Sequence, residues 1–75
     1  ITKLMKHKTV QSSNLKMVGY DEENNILEIV FKSGSIYQYA PVEKSTYEGL
    51  LSASSKGKYF FSHIKNAPYK VSRIK

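Results

Sequence analysis

Apolar and polar positions alternate most cleanly from Ile26 to Tyr39, ILEIVFKSGSIYQY. Leu27, Ile29 and Phe31 interleave with Glu28, Val30 and Lys32, the period of two expected of a half-buried strand. Ser33-Gly34 supplies a turn, and Ile36 to Tyr39 returns alongside. Loop length decides which way the tyrosines face. A two-residue loop pairs Val30 with Tyr37 and puts Tyr37 and Tyr39 on the face of Glu28, Val30 and Lys32. A three-residue loop, Lys32-Ser33-Gly34, pairs Ile29 with Tyr37 and Leu27 with Tyr39. The second register is preferred, because it separates apolar from polar and sets glycine where a type I turn with a bulge needs positive φ.

The weaker patterns fall into place around this hairpin. Residues 1–8, ITKLMKHK, show no periodicity and read as a loose basic arm, leaving 9–75 as one domain. Gln11-Ser12-Ser13-Asn14 is a polar loop. Leu15 to Tyr20 reads as a strand with Val18 and Tyr20 on one face, and Gly19 marks a bulge or a close backbone approach. Asp21-Glu22-Glu23-Asn24-Asn25 is a hairpin loop whose asparagines tolerate positive φ. It lacks the alternating spacing and the glycine of a calcium loop. Pro41 stops the third strand. Glu43 to Ala53 is helical, with Glu43 in its first turn and Tyr47, Leu50 and Leu51 as its apolar stripe. Gly49 inside it is a weak point or a close contact with a neighbour. Ser54 or Ser55 caps a second helix to about Lys65, with Phe60 and Ile64 on one side. Tyr69 to Ile74 is a basic edge strand. The predicted fold class is α+β: a small antiparallel sheet, β-β-β-α-α-β, packed against two short helices.

Composition narrows the chemistry. Seventy-five residues bury a modest core. With no cysteine there is neither disulfide nor thiolate metal site, and His7 and His63 stand without ligand-like spacing. No catalytic set, Walker motif or cofactor signature is visible, so neither an enzyme nor a cofactor is expected. No apolar run reaches membrane-spanning length, which points to a cytoplasmic setting with no membrane partner. The chain begins at Ile1, as a trimmed or partial sequence would. Net charge is +6, unevenly placed. Residues 1–20 and 49–75 carry ten cations and no acid, whereas all six acids lie between, beside Lys32 and Lys44. Such ends favour a polyanion, nucleic acid first and an acidic protein surface second, or else a solvated surface that keeps a small protein in solution. Eleven lysines against one arginine suit diffuse phosphate attraction better than bidentate base reading.

Ser54 to Asn66, SSKGKYFFSHIKN, is the leading binding segment. A serine- and glycine-containing turn at a helix start offers backbone N–H groups to an anion, flanked by Lys56 and Lys58. Lys65 and His63 extend the patch, and Arg73 on the last strand adds to it. The plainer reading is a helix–helix turn with capping serines. Phe60 belongs to the core. Tyr59 and Phe61 point elsewhere, and an exposed aromatic beside lysines makes a stacking platform for bases. Tyr37 and Tyr39 back the core in the preferred register and form an open aromatic face in the other.

The motifs, taken in order, resemble the KTSC domain family. They are Ser12-Ser13-Asn14-Leu15, Val18-Gly19-Tyr20-Asp21 and Leu27 to Gly34. Tyr37-Gln38-Tyr39 is similar to the family's central Y-x-Y, and Tyr47 to Leu51 and Ser55 to Phe60, with His63-Ile64, complete the likeness over Thr9 to Ile74. The family is named for the C-terminus of some lysyl-tRNA synthetases and also stands alone in bacteria and phages. The resemblance implies this fold and favours nucleic acid, RNA before DNA. The expected function is a non-catalytic nucleic-acid-binding module acting through Lys56, Lys58, Lys65, Arg73, Tyr37, Tyr39, Tyr59 and His63. The alternative is a protein-interaction module, either an appended docking domain or a phage-encoded inhibitor of a host protein. The oligomeric state is open.

Overall fold

Leu27 pairs with Tyr39, Glu28 with Gln38, Ile29 with Tyr37 and Val30 with Ile36 in the computed structural model, which describes residues 6–75. This is the register of the three-residue loop. Phe31 N–H donates to Ser35 O and Gly34 N–H to Phe31 O, both at 2.9 Å, and Gly34 takes φ +98°. A side chain is strained at that angle, so glycine fixes the turn and the turn fixes the faces. Leu27, Ile29, Phe31, Tyr37 and Tyr39 therefore share the inward face. Leu27 and Ile29 are fully buried there, and Tyr39 is 5% exposed.

Five strands form one antiparallel meander: β1 (Lys6–Thr9), β2 (Leu15–Asp21), β3 (Ile26–Phe31), β4 (Ile36–Ala40) and β5 (Lys70–Arg73), neighbours in that order. The loose arm expected over residues 1–8 is corrected over its last three. Lys6 pairs with Tyr20, His7 with Gly19 and Lys8 with Val18, which adds a strand to the predicted order. An edge strand is held by backbone hydrogen bonds and needs no apolar alternation, so the lysine-rich segment hid it. Residues 1–5, including Lys3, lie outside the described residues. At the other edge, β5 is exposed throughout, as expected of a basic edge strand.

In β2 the irregularity lies between Leu15 and Met17, while Gly19 keeps regular register between His7 and Glu28. The reason is packing. Leu15 and Val18 are three apart, which in a regular strand sends them to opposite faces, yet both are fully buried. The extra residue returns Leu15 to the inward face. Val10, in the segment read as polar, is also buried, its N–H bonded to Lys16 O at 3.2 Å.

Both helices cover the inward face. In α1 (Lys44–Ser52) Leu50 is fully buried, and Tyr47 and Leu51 pack beside it, as the stripe predicted. Glu43 stands at the N-cap with extended backbone, one position ahead of the helix proper. The second helix is α2 (Lys56–Phe60), capped by Ser55, whose Oγ accepts from Lys58 N–H at 3.4 Å. It runs on as one π turn over Phe61–Lys65. Phe60 meets Phe31 and Tyr39 edge-on, each at 5.6 Å between ring centres, and Ile64 is fully buried. Among the described residues no helix is long and apolar enough to cross a membrane.

Gly49 is the close contact that its place in a helix suggested. A Cβ built there would collide with Tyr59 Oη and lie 2.9 Å from Cζ. The missing side chain is the seat of the Tyr59 ring, which stacks on His63 at 4.2 Å. Gly49→Ala gains about 1 kcal/mol of helix propensity but must push the ring aside, at about 1–3 kcal/mol for overpacking. We expect a net loss of about 1 kcal/mol in urea denaturation. In a Tyr59→Ala background the same change is expected to stabilise. Equal signs in the two backgrounds would show that the ring does not set the choice of glycine.

Candidate nucleic-acid interface

A meander alternates its hairpin loops between the two ends of the sheet. The β1–β2 loop and the β3–β4 loop therefore share one end, where Lys32 N–H donates to Asn14 O at 2.9 Å. The start of α2 closes on the same end, since a Cβ on Gly57 would stand 3.5 Å from Ser12 Oγ. Ser12 Oγ itself accepts from the N–H groups of Asn14 and Leu15, at 3.3 and 3.4 Å, which holds the loop folded.

Between these three segments runs a groove of about 1030 Å³. Lys32, Lys56, Lys58 and Lys65 line it together with seven serines, and no carboxylate does. Tyr37, Tyr39 and Phe60 also belong to its wall, as does Phe61, 53% exposed. Lys65 Nζ lies 5.2 Å from the centre of the Phe61 ring. Lys56 Nζ donates to Ala53 O at 3.0 Å, which keeps its stem against the turn and leaves further N–H donors for a ligand.

The acids gather at the opposite end. Asp21 Oδ1 accepts from Glu23 N–H in the β2–β3 loop, and Val42 N–H bonds to Asn25 O, drawing the start of α1 to that loop. Lys44 pairs with Glu22 at 3.2 Å, a bond that raises the lysine's pKa. Tyr20 stacks on Tyr47 at 4.8 Å and donates to Val42 O and Asn25 Oδ1. Burial first, then the charges of Glu22 and Glu43, raise the Tyr20 pKa. Glu28 lies on the outer face, held by Gln38 Nε2 at 2.8 Å and by His7 Nε2. The groove lysines take part in none of these contacts. Charge that looked segmental along the chain is thus polarised in space, with a cationic groove at one end of the sheet, Asp21, Glu22 and Glu23 at the other and Glu28 on the outer face.

The structure brings five of the eight predicted site residues to this groove: Lys56, Lys58, Lys65, Tyr37 and Tyr39. Arg73 flanks it through Tyr37, its guanidinium 5.9 Å from that ring's centre. Tyr59 and His63 stand outside the lining, stacked on each other, with His63 Nδ1–H donating to Tyr59 O at 3.3 Å. Each ring of the tyrosine pair is packed against another ring. Tyr37 meets Phe31 edge-on at 5.7 Å, and Tyr39 is packed on Phe60 with its pKa raised by burial. The backbone donors foreseen at the start of α2 are partly spent, because Ser55 Oγ occupies Lys58 N–H. Lys32, Ser12 and Ser13 are groove residues outside the predicted set, and of Tyr59 and Phe61, both weighed as stacking rings, it is Phe61 that lines the groove. Lys32 reads locally as a turn residue and the serines as loop and capping chemistry, and nothing local to either joins them to Lys56.

Comparison with known proteins fits this architecture. Residues 11–69 match the KTSC domain. A protein of Stutzerimonas stutzeri (strain A1501) is 41% identical over 70 residues, 93% of this chain and 99% of that one. A lysine–tRNA ligase of Nostoc punctiforme is 40% identical over 55 residues, covering 73% of this chain and 10% of the ligase. The crystal structure of a KTSC domain protein from Yersinia pestis superposes with a TM-score of 0.90 at 35% identity, over 96% of this chain and all of that one. The five-stranded α+β fold with its two short helices is shared with that structure, and the chain belongs to the KTSC domain family.

Proposed function

We propose that this domain is a non-catalytic nucleic-acid-binding module, with RNA preferred to DNA, and that the groove between Ser12, Lys32 and Lys56 is where the phosphate backbone lies. One observation carries the reading: Lys32 from the β3–β4 loop and Lys56, Lys58 and Lys65 from the second helix converge on a groove that no carboxylate lines, while Asp21, Glu22, Glu23 and Glu43 lie at the far end. Lysine ammonium groups attract phosphate without reading bases, and serine hydroxyls donate to its oxygens. The likeness to a segment of lysine–tRNA ligases, proteins named for acting on tRNA, favours RNA. Arg73, Tyr37 and Tyr39 extend the surface. Tyr59 and His63 sit behind it and support α2.

Salt dependence tests the proposal. Each phosphate contact releases counterions, at about 0.7 units of slope in log Kd against log salt per lysine on a single strand. Single-stranded RNA should bind measurably at low salt, and Lys56→Ala/Lys58→Ala should flatten the slope by about 1.4 units. The fold should survive, because Lys58 is exposed and half-buried Lys56 gives up one hydrogen bond, to Ala53 O, of about 1 kcal/mol. Absence of binding at low salt would defeat the proposal. Salt-insensitive capture of a protein, persisting after nuclease treatment, would favour the docking-module alternative instead.

A further inference from the structure

Phe61 is a large apolar side chain left 53% exposed in a chain of modest core, and it lines the cationic groove described above. Its neighbour Phe60 is buried, so the exposure is not forced by a lack of space on the inward face in general but by position in the turn. The π turn that begins at Phe61 carries Ile64 inward and Lys65 outward, and Lys65 Nζ comes to rest 5.2 Å from the centre of the Phe61 ring. An exposed ring with an ammonium group over one face has its other face for a planar base, and the ammonium is near enough to meet that nucleotide's phosphate. The other groove aromatics are not available for this. Tyr39 and Phe60 are buried and locked edge-on, and Tyr37 is held between Phe31 and Arg73.

Building on the proposed nucleic-acid reading, we infer that the domain selects single-stranded over duplex nucleic acid, by stacking one unpaired base on Phe61 while Lys65 and Lys58 hold the adjoining phosphates. A paired base presents only its edge at a groove, with both faces covered by neighbours in the stack, so it has nothing to offer the ring. The selectivity is one of strandedness, not of sequence, since every base has a face to stack.

The chain has no tryptophan, so Phe61→Trp provides a single fluorescent reporter at the stacking position. Four proteins are compared: wild type, Phe61→Ala, Phe61→Trp and Lys58→Gln. Each is titrated with a twelve-nucleotide single-stranded RNA and with a blunt duplex of the same sequence, at several salt concentrations. Wild type is expected to favour the single strand. Phe61→Ala should weaken single-strand binding about tenfold while leaving the salt slope unchanged, because stacking releases no counterions. It should leave duplex binding as it was. Phe61→Trp should retain affinity and be quenched by the single strand only. Lys58→Gln should instead flatten the single-strand slope by about 0.7 units. Equal binding of both forms, or a Phe61→Ala variant that binds the single strand as wild type does, overturns this inference and leaves the groove standing. Failure of wild type to bind either form overturns the inference and the nucleic-acid reading together.

Discussion

Phe60→Ala is expected to cost about 3–5 kcal/mol and to leave the domain largely unfolded at 37 °C. Phe60 is the point at which the helical layer grips the sheet. Its ring meets Phe31 and Tyr39 edge-on, both at 5.6 Å, and is 6% exposed. Truncation loses the buried area and both aromatic contacts, and it opens a void under α2 that the rigid sheet cannot close. A chain of this length holds roughly 4–11 kcal/mol of stability in all, so the loss approaches the whole. Phe61→Ala, one residue further on, removes a side chain of the same size from an exposed site and is expected to change stability by less than about 0.5 kcal/mol. Urea denaturation followed by far-ultraviolet circular dichroism compares the two. Similar midpoints would show that the assignment of Phe60 inward and Phe61 outward is wrong.

Removing the charge of all four groove lysines is expected to abolish RNA binding at moderate salt. Lys32→Gln, Lys56→Gln, Lys58→Gln and Lys65→Gln keep the aliphatic stems and take the net charge from +6 to +2. On a single strand each contact contributes about 0.7 to the slope, so four contacts supply about three and a half decades of affinity between 1 M and 50 mM salt. A matched variant, Lys8→Gln, Lys16→Gln, Lys70→Gln and Lys75→Gln, lowers the net charge equally but leaves the groove intact. It is expected to lose far less, since long-range attraction between separated charges is screened over about 10 Å at 0.1 M salt. Equal losses in the two variants would mean that overall charge, not a place on the molecule, governs the attraction.

The hairpin was legible because its information is local. Gly34 sets a left-handed turn, and the turn sets the register of everything from Leu27 to Tyr39. The stripe of α1, the Ser55 cap and the burial of Phe60 and Ile64 are legible for the same reason, each being a spacing of three or four residues. Two features are not local. Strand β1 is joined to β2 through backbone bonds, so KHKT carries no apolar signature of its own. The groove is assembled by topology. A meander of this strand order returns the β1–β2 and β3–β4 loops to one end, and only then do Ser12, Lys32 and Lys56 become neighbours. Sequence located the basic segment from Ser54 onwards but missed the opposite wall. The choice between Tyr59 and Phe61 as the exposed ring also turned on a partner distant in sequence, Gly49, whose missing side chain gives Tyr59 its seat.

Backbone amide NMR of the labelled domain, titrated with a single-stranded RNA at 50 mM salt, locates the bound strand residue by residue. Progressive shifts are expected at Ser12 to Asn14, Ser33 to Ser35, Ser55 to Lys58 and Phe61 to Lys65, the segments that face one another across the groove. The amides of Asn25, Lys44 and Tyr47 at the acidic end, and of Glu28 and Gln38 on the outer face, are expected to stay still. Shifts concentrated on either of those surfaces, or no shifts at all with RNA in excess, would contradict the assignment of the groove as a nucleic-acid interface.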